Sequence, residues 1–75
     1  MEDLLEFLAR GLVDKPDQVM VDGFDEPDGS ITLELHVADD EKGKVIGRGG
    51  RTISALRTVV RAAAQGQRVV VEVVD

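Results

Sequence analysis

Three glycines in four residues, Gly47, Gly49 and Gly50, separate a very short helical pattern from a longer one. Each glycine in a helix interior costs about 1 kcal/mol relative to alanine, so the two patterns cannot form one helix. Their joint has to be built from bare backbone, which can take left-handed φ and approach another group closely. The charge pattern singles out the same place. From Lys42 to Arg61 there are six basic residues and no acidic one. Residues 1–41 hold thirteen Asp/Glu against two Lys/Arg, a local net of −11, while residues 42–75 hold seven Lys/Arg against two acids, a net of +5. The overall charge of −6 is therefore the sum of two opposed halves. A uniformly acidic chain would argue against a polyanionic partner, whereas an acid-free basic stretch around exposed amides argues for one.

The rest of the pattern supplies the frame around that joint. Leu4, Leu5, Leu8 and Leu12 recur at helical spacing with Phe7 beside them on the expected core face, and Glu2, Asp3 and Glu6 suit a helix N-terminus. This helix should stop by Asp14-Lys15-Pro16. Residues 18–24 are β-rich, with Val19 and Val21 alternating and Phe24 expected in the core. Glu26-Pro27-Asp28-Gly29 reads as a turn. Ile31, Leu33, Leu35 and Val37 then alternate with Thr32, Glu34, His36 and Ala38, the pattern of a half-buried strand, which makes a hairpin with its predecessor. Asp39-Asp40-Glu41 begins the short helix, which runs through Val45-Ile46. A second helix spans Thr52 to Gln65 with Gly66 as its terminating residue, and Val69 to Val74 closes the chain as a strand.

The order α-β-β-α-α-β, with no repeat or linker, predicts one α+β domain over residues 1–75. If the helix pair acts as one crossover, the strands that flank it run parallel and the hairpin adds an antiparallel partner. The result is a three-stranded mixed sheet with three helices on one face. The closing strand lies at an edge, with unpaired amides and carbonyls.

Several function classes find no support. With no cysteine there are no disulfides or thiolate metal sites, and a reducing compartment is the simple reading. Met1-Glu2-Asp3 is acidic and no long apolar run follows, so neither a signal peptide nor a membrane span is expected, and the reading is cytoplasmic. His36 is the single histidine; it sits on the polar face of a strand, with no Ser/Asp pairing evident and no second metal ligand of suitable type. Asp39-Asp40-Glu41 is explained as a helix start and not as a divalent site. No metal, cofactor or catalytic activity is expected.

Three glycines beside Lys44, Arg48 and Arg51 can bring amides and mobile positive charge to a phosphate. A glycine-rich helix–helix turn is the plainer reading of the same residues. Two other phosphate loops fail on spacing. A Walker loop needs Ser/Thr after Gly-Lys, where Val45 follows Gly43-Lys44, and a dinucleotide fingerprint needs a glycine where Thr52 stands. The segment Lys44-Val45-Ile46-Gly47-Arg48-Gly49-Gly50-Arg51-Thr52-Ile53 resembles the Val-Ile-Gly-x-x-Gly signature of KH domains. The element order resembles the type II arrangement of that family, and the likeness to its small bacterial single-domain members runs along nearly the whole chain.

That resemblance implies an RNA chaperone or regulator that binds single-stranded RNA across about four nucleotides, the loop clamping the backbone. It also implies a homodimer and pairing with a larger KH-domain protein. The residues it points to are Lys44, Val45, Ile46, Gly47, Arg48, Gly49, Gly50, Arg51, Thr52, Ile53, Leu56 and Arg57. Gly49 departs from the pattern, since KH loops often place two polar residues between the glycines. The aromatic content agrees with a groove of aliphatic walls: there are two phenylalanines and no Trp or Tyr for stacking platforms. Val45, Ile46, Ile53 and Leu56 are candidates for its floor, and Val69 to Val71 for its far wall; each also suits an ordinary core.

A protein-interaction module that acts through dimerisation or a KH-domain partner is the competing reading. On the longer helix the polar positions occupy an arc of roughly 100° and the apolar ones about 200°, more than packing on one sheet requires. The first helix or a second copy of the chain would cover the surplus. Ile53, at its margin, is the residue expected at a contact between copies.

Overall fold

The alternating strand becomes the centre of the sheet. The computed structural model describes residues 1–74. In it β1 (Met20–Asp25) pairs antiparallel with β2 (Ile31–His36), and β2 pairs parallel with β3 (Val69–Val73), in the order β1-β2-β3. Leu33 and Leu35 have no exposed surface, and Glu34 and His36 project from the opposite face. The helices α1 (Glu2–Arg10), α2 (Lys42–Ile46) and α3 (Arg51–Ala63) cover the Leu33 face, so the fold is α+β with three helices on one side of a mixed sheet. No helix among the described residues is long and apolar enough to cross a membrane.

One contiguous core joins these layers. α1 contributes Leu5 and Ala9, α2 contributes Val45, and α3 contributes Ile53, Leu56 and Val60 against Leu33, Leu35, Val69 and Val71. The α3 residues lie at i, i+3 and i+7, the stripe that a straight helix turns towards a sheet. Burying each such side chain stabilises the fold by roughly 1.5–3 kcal/mol. The hairpin turn at residues 26–29 forms as read: Ser30 donates its backbone N–H and its hydroxyl to Asp28 Oδ1, and Gly29 takes φ +87°.

Several expectations are corrected. Phe7 is 74% exposed, because the inward stripe of α1 is Leu5–Ala9 and Phe7 falls on the other side. Leu12 lies beyond that helix, which ends at Arg10 with Gly11 as its cap. Phe24 is also outside: Val21 pairs with Leu35 on the core face, so period two puts Phe24 opposite Thr32 on the open face. α3 ends at Ala63, two residues early, and Gln65 and Gly66 both take positive φ in the exit turn. Ile53 is 6% exposed and belongs to the core, whereas Ala55, Val59, Ala62 and Ala63 carry the surplus apolar arc in solvent. His36 does have carboxylate neighbours: strand pairing brings Asp22 from β1, and Glu34 stands two residues earlier on the same face of β2.

Glu41 ties the connection between α1 and β1 to the start of α2. It closes a single 3₁₀ turn at Asp39–Glu41 and is only 2% exposed. Its carboxylate accepts the backbone N–H of Asp14 and of Lys15 and, at 3.2 Å, the Lys44 ammonium. Lys44 also donates to Asp14 at 2.6 Å, and Lys15 pairs with Asp40 at 2.9 Å. Burial alone would raise the Glu41 carboxyl, but the Asp14 amide, Lys44 and the Lys15 amide outweigh it and hold the group below the ordinary glutamate range. Asp14 is likewise lowered by its hydrogen bond and charge contact with Lys44. A depressed carboxyl adds stability that is present above its unfolded value of about 4 and is lost as pH falls through the lower folded value. Thermal melts should therefore show Glu41→Gln less stable than the parent at pH 7, with the gap narrowing towards pH 3. A gap that stays constant with pH would contradict the ionic role of Glu41.

Candidate nucleic-acid interface

The joint between α2 and α3 is a 3₁₀ turn over Arg48–Gly50, entered through Gly47 at φ +77°, ψ 170°. Gly47 donates its N–H to the Gly43 carbonyl at 2.8 Å, ending α2, and its own carbonyl accepts the Gly50 N–H at 3.1 Å, closing the turn. A Cβ at Gly47 would collide with the Thr52 side chain and stand 2.9 Å from the Thr52 backbone nitrogen. The packing of Thr52 on bare backbone is what lets α3 start this close to the end of α2. Gly49 and Gly50 follow with φ +65° and +75°, and a Cβ at Gly49 would meet nothing within 4 Å. Gly49 is the open tip of the turn.

α3 then begins from Gly50 with no side-chain cap. The 3₁₀ turn already uses the Gly50 and Arg51 N–H groups, which donate to the Gly47 and Arg48 carbonyls. The later first-turn N–H groups of α3 have no intrahelical partner, and with the helix dipole they favour an anion. Arg48 and Arg51 flank this point, exposed, and neither has an ion pair or side-chain hydrogen bond among the described residues. The arrangement offers a phosphate backbone donors, two uncommitted guanidinium groups and no side chain at Gly49 to obstruct approach.

The remaining predicted residues divide into four groups. Lys44 lies one turn back on α2 but is engaged by Asp14 and Glu41, and those contacts raise its pKa. Val45, Ile53 and Leu56 are core residues that hold the two helices together beneath the loop. Of the four proposed floor residues only Ile46, 39% exposed, faces solvent beside the turn. Arg57 is part-buried between α3 and β3, its Nε and Nη2 donating to the Val71 carbonyl at 3.3 and 3.1 Å.

The edge of β3 is therefore not as open as its position in the sheet implies. Arg61, one turn after Arg57, sets its Nε 3.5 Å from the Val69 carbonyl. Beyond it Arg61, Gly66, Gln67, Arg68, Val69 and Val70 line an open cleft of about 360 Å³. Sequence reading passed over Arg61 and Arg68 as parts of this surface, although the i, i+4 spacing of Arg57 and Arg61 was there to be seen.

The KhpA/KhpB KH-domain family matches residues 2–74. An RNA-binding protein KhpA of Mycobacterium tuberculosis is 53% identical over 73 residues, covering 97% of this chain and 89% of the relative. That of Clostridium acetobutylicum is 50% identical over 76 residues, covering 99% and 100%. A third, from Halalkalibacterium halodurans, is 48% identical over 77 residues and covers both chains fully. No solved structure matches the chain.

The two ends of the loop should respond differently to one added methyl group. Gly49→Ala meets no neighbour and bears only the left-handed backbone cost of about 1–2 kcal/mol, while Gly47→Ala adds a collision with Thr52 to a backbone, φ +77° and ψ 170°, that is essentially open to glycine alone. Urea unfolding should rank Gly47→Ala as clearly the more damaging. The reverse order would refute the Thr52 packing as the constraint on this joint.

Proposed function

The chain belongs to the KhpA/KhpB KH-domain family, and from that footing we propose that it binds single-stranded RNA as a small cytoplasmic RNA chaperone or regulator. The loop at residues 47–50 clamps about four nucleotides. Phosphates lie against the amides that open α3, and Arg48 and Arg51 neutralise them. Bases run past Ile46 towards Arg57 and the β3 edge. The observation that carries this reading is the coincidence, at one exposed point, of a helix start without a side-chain cap, a turn of glycine backbone and two arginines with no ion pair or side-chain hydrogen bond among the described residues. The acidic half of the chain repels the same polyanion from other faces and so orients it.

Anisotropy of a labelled unstructured RNA tests the clamp. Replacing Arg48 and Gly49 together by Asp should abolish binding and leave the circular dichroism unchanged, since both positions are exposed and aspartate tolerates left-handed φ better than most residues. For the parent chain, log affinity should fall with log salt with a slope of about −2, the value for three phosphates at roughly −0.7 each. Parental affinity in the double variant would overturn the clamp.

A second reading, assembly with another copy or with a larger KH-domain protein, is supported by Val59, which stands 44% exposed in the surplus apolar arc of α3. Light scattering at tens of micromolar should give twice the 8.1 kDa chain mass, and Val59→Asp should return it to one. A parent chain that is already monomeric there would remove the homodimer.

A further inference from the structure

The sheet face turned away from the helices carries a cluster that RNA binding does not use. Strand pairing sets Asp22 directly opposite Glu34, and Glu34 directly opposite Glu72, so three carboxylates form one row across all three strands. Like charges placed directly opposite in a sheet are destabilising, and nothing basic stands in that row. Its neighbour along β2 is His36, two residues on and therefore on the same face.

The histidine shows what the row lacks. His36 Nε2 has no exposed surface and no hydrogen-bond partner, although the ring as a whole is about one-third exposed. Asp22 Oδ2 lies 3.2 Å from it without forming an aligned hydrogen bond. A buried polar nitrogen left unsatisfied costs stability, and a divalent cation would satisfy it together with the opposed carboxylates.

The geometry suits that cation. The ligand atoms of Asp22, Glu34 and His36 all lie within 4.8 Å of one another. Zinc bonds of about 2.0–2.2 Å to nitrogen and oxygen, at a tetrahedral angle, put neighbouring ligand atoms roughly 3.3 Å apart. The His36–Asp22 separation already matches that edge, and a rotation of the flexible Glu34 side chain closes the third. Imidazole nitrogen and carboxylate oxygen are both zinc ligand types, and a water would take the fourth position of an open site.

We propose that Asp22, Glu34 and His36 form a binding site for a divalent transition cation, zinc being the probe, on the sheet face opposite the glycine loop. The cation neutralises the carboxylate row and fastens β1 to β2, so its binding stabilises the fold independently of any RNA.

Calorimetric titration of the untagged chain with zinc chloride tests this, with thermal melts alongside. The expected result is one zinc per chain, a higher Tm in zinc, and no comparable effect of magnesium. His36→Gln and Asp22→Asn should each weaken binding tenfold or more, whereas Asp39→Asn, in the other acid-rich segment, should leave it unchanged. Both ligand variants alter partly exposed side chains, and circular dichroism without zinc checks that they fold. Absence of zinc binding at a few hundred micromolar, or equal binding by the parent and His36→Gln, would overturn the site. Equal loss in Asp39→Asn would assign the binding to diffuse surface charge and overturn it as well.

Discussion

β2 is the one strand hydrogen-bonded on both sides, and every other element takes its position from it. Its inward leucines, Leu33 and Leu35, are completely covered, and covering them requires a helix layer wider than any single helix of this chain. α3 supplies a straight stripe, α1 supplies Leu5 and Ala9, and α2 supplies Val45. A one-residue slip of β2 would send both leucines to solvent and bring Glu34 and His36 into the core, so the register is strongly specified. In a chain of 75 residues there is little else to share that burden.

Charge does what hydrophobic burial cannot do here, which is to fix where α2 starts. The acidic and basic halves of the chain meet at Glu41, whose carboxylate gathers two backbone amides and an ammonium from segments 3 to 27 residues away. That junction uses Lys44, one of the basic residues nearest the loop, and leaves Arg48 and Arg51 uncommitted. The net positive charge of the loop is therefore smaller than the sequence suggests and more sharply placed. It belongs to two guanidinium groups at the opening of α3.

The features legible in the sequence were those set by local pattern. The alternation from Ile31 to Val37, the turn at residues 26–29, the glycine break and the resulting strand directions all follow from residue spacing, and so did the loop as the candidate site. What escaped depends on distant partners. Nothing local marks Glu41 as the buried acid among Asp39, Asp40 and Glu41, because its partners Asp14 and Lys15 arrive only through the tertiary fold. Lys44 counts as free charge until Asp14 is placed beside it, and Ile53 counts as marginal until α2 is packed against it. Phe24 is different. The alternation of Val19 and Val21 assigns it to the open face, and this period outweighs the general preference of phenylalanine for cores.

The arginines along β3 carry a consequence for the fate of the chain at high concentration. Val69-Val70-Val71-Glu72-Val73 is short, apolar and β-branched, the composition that stacks readily into intermolecular cross-β assemblies, and it occupies a sheet edge. Arg57 and Arg61 place their guanidinium groups on the carbonyls of Val71 and Val69, where an incoming strand would have to dock. The same side chains thus act as gatekeepers against self-templating. Glu72 adds a charge that a stacked copy would have to oppose with its own.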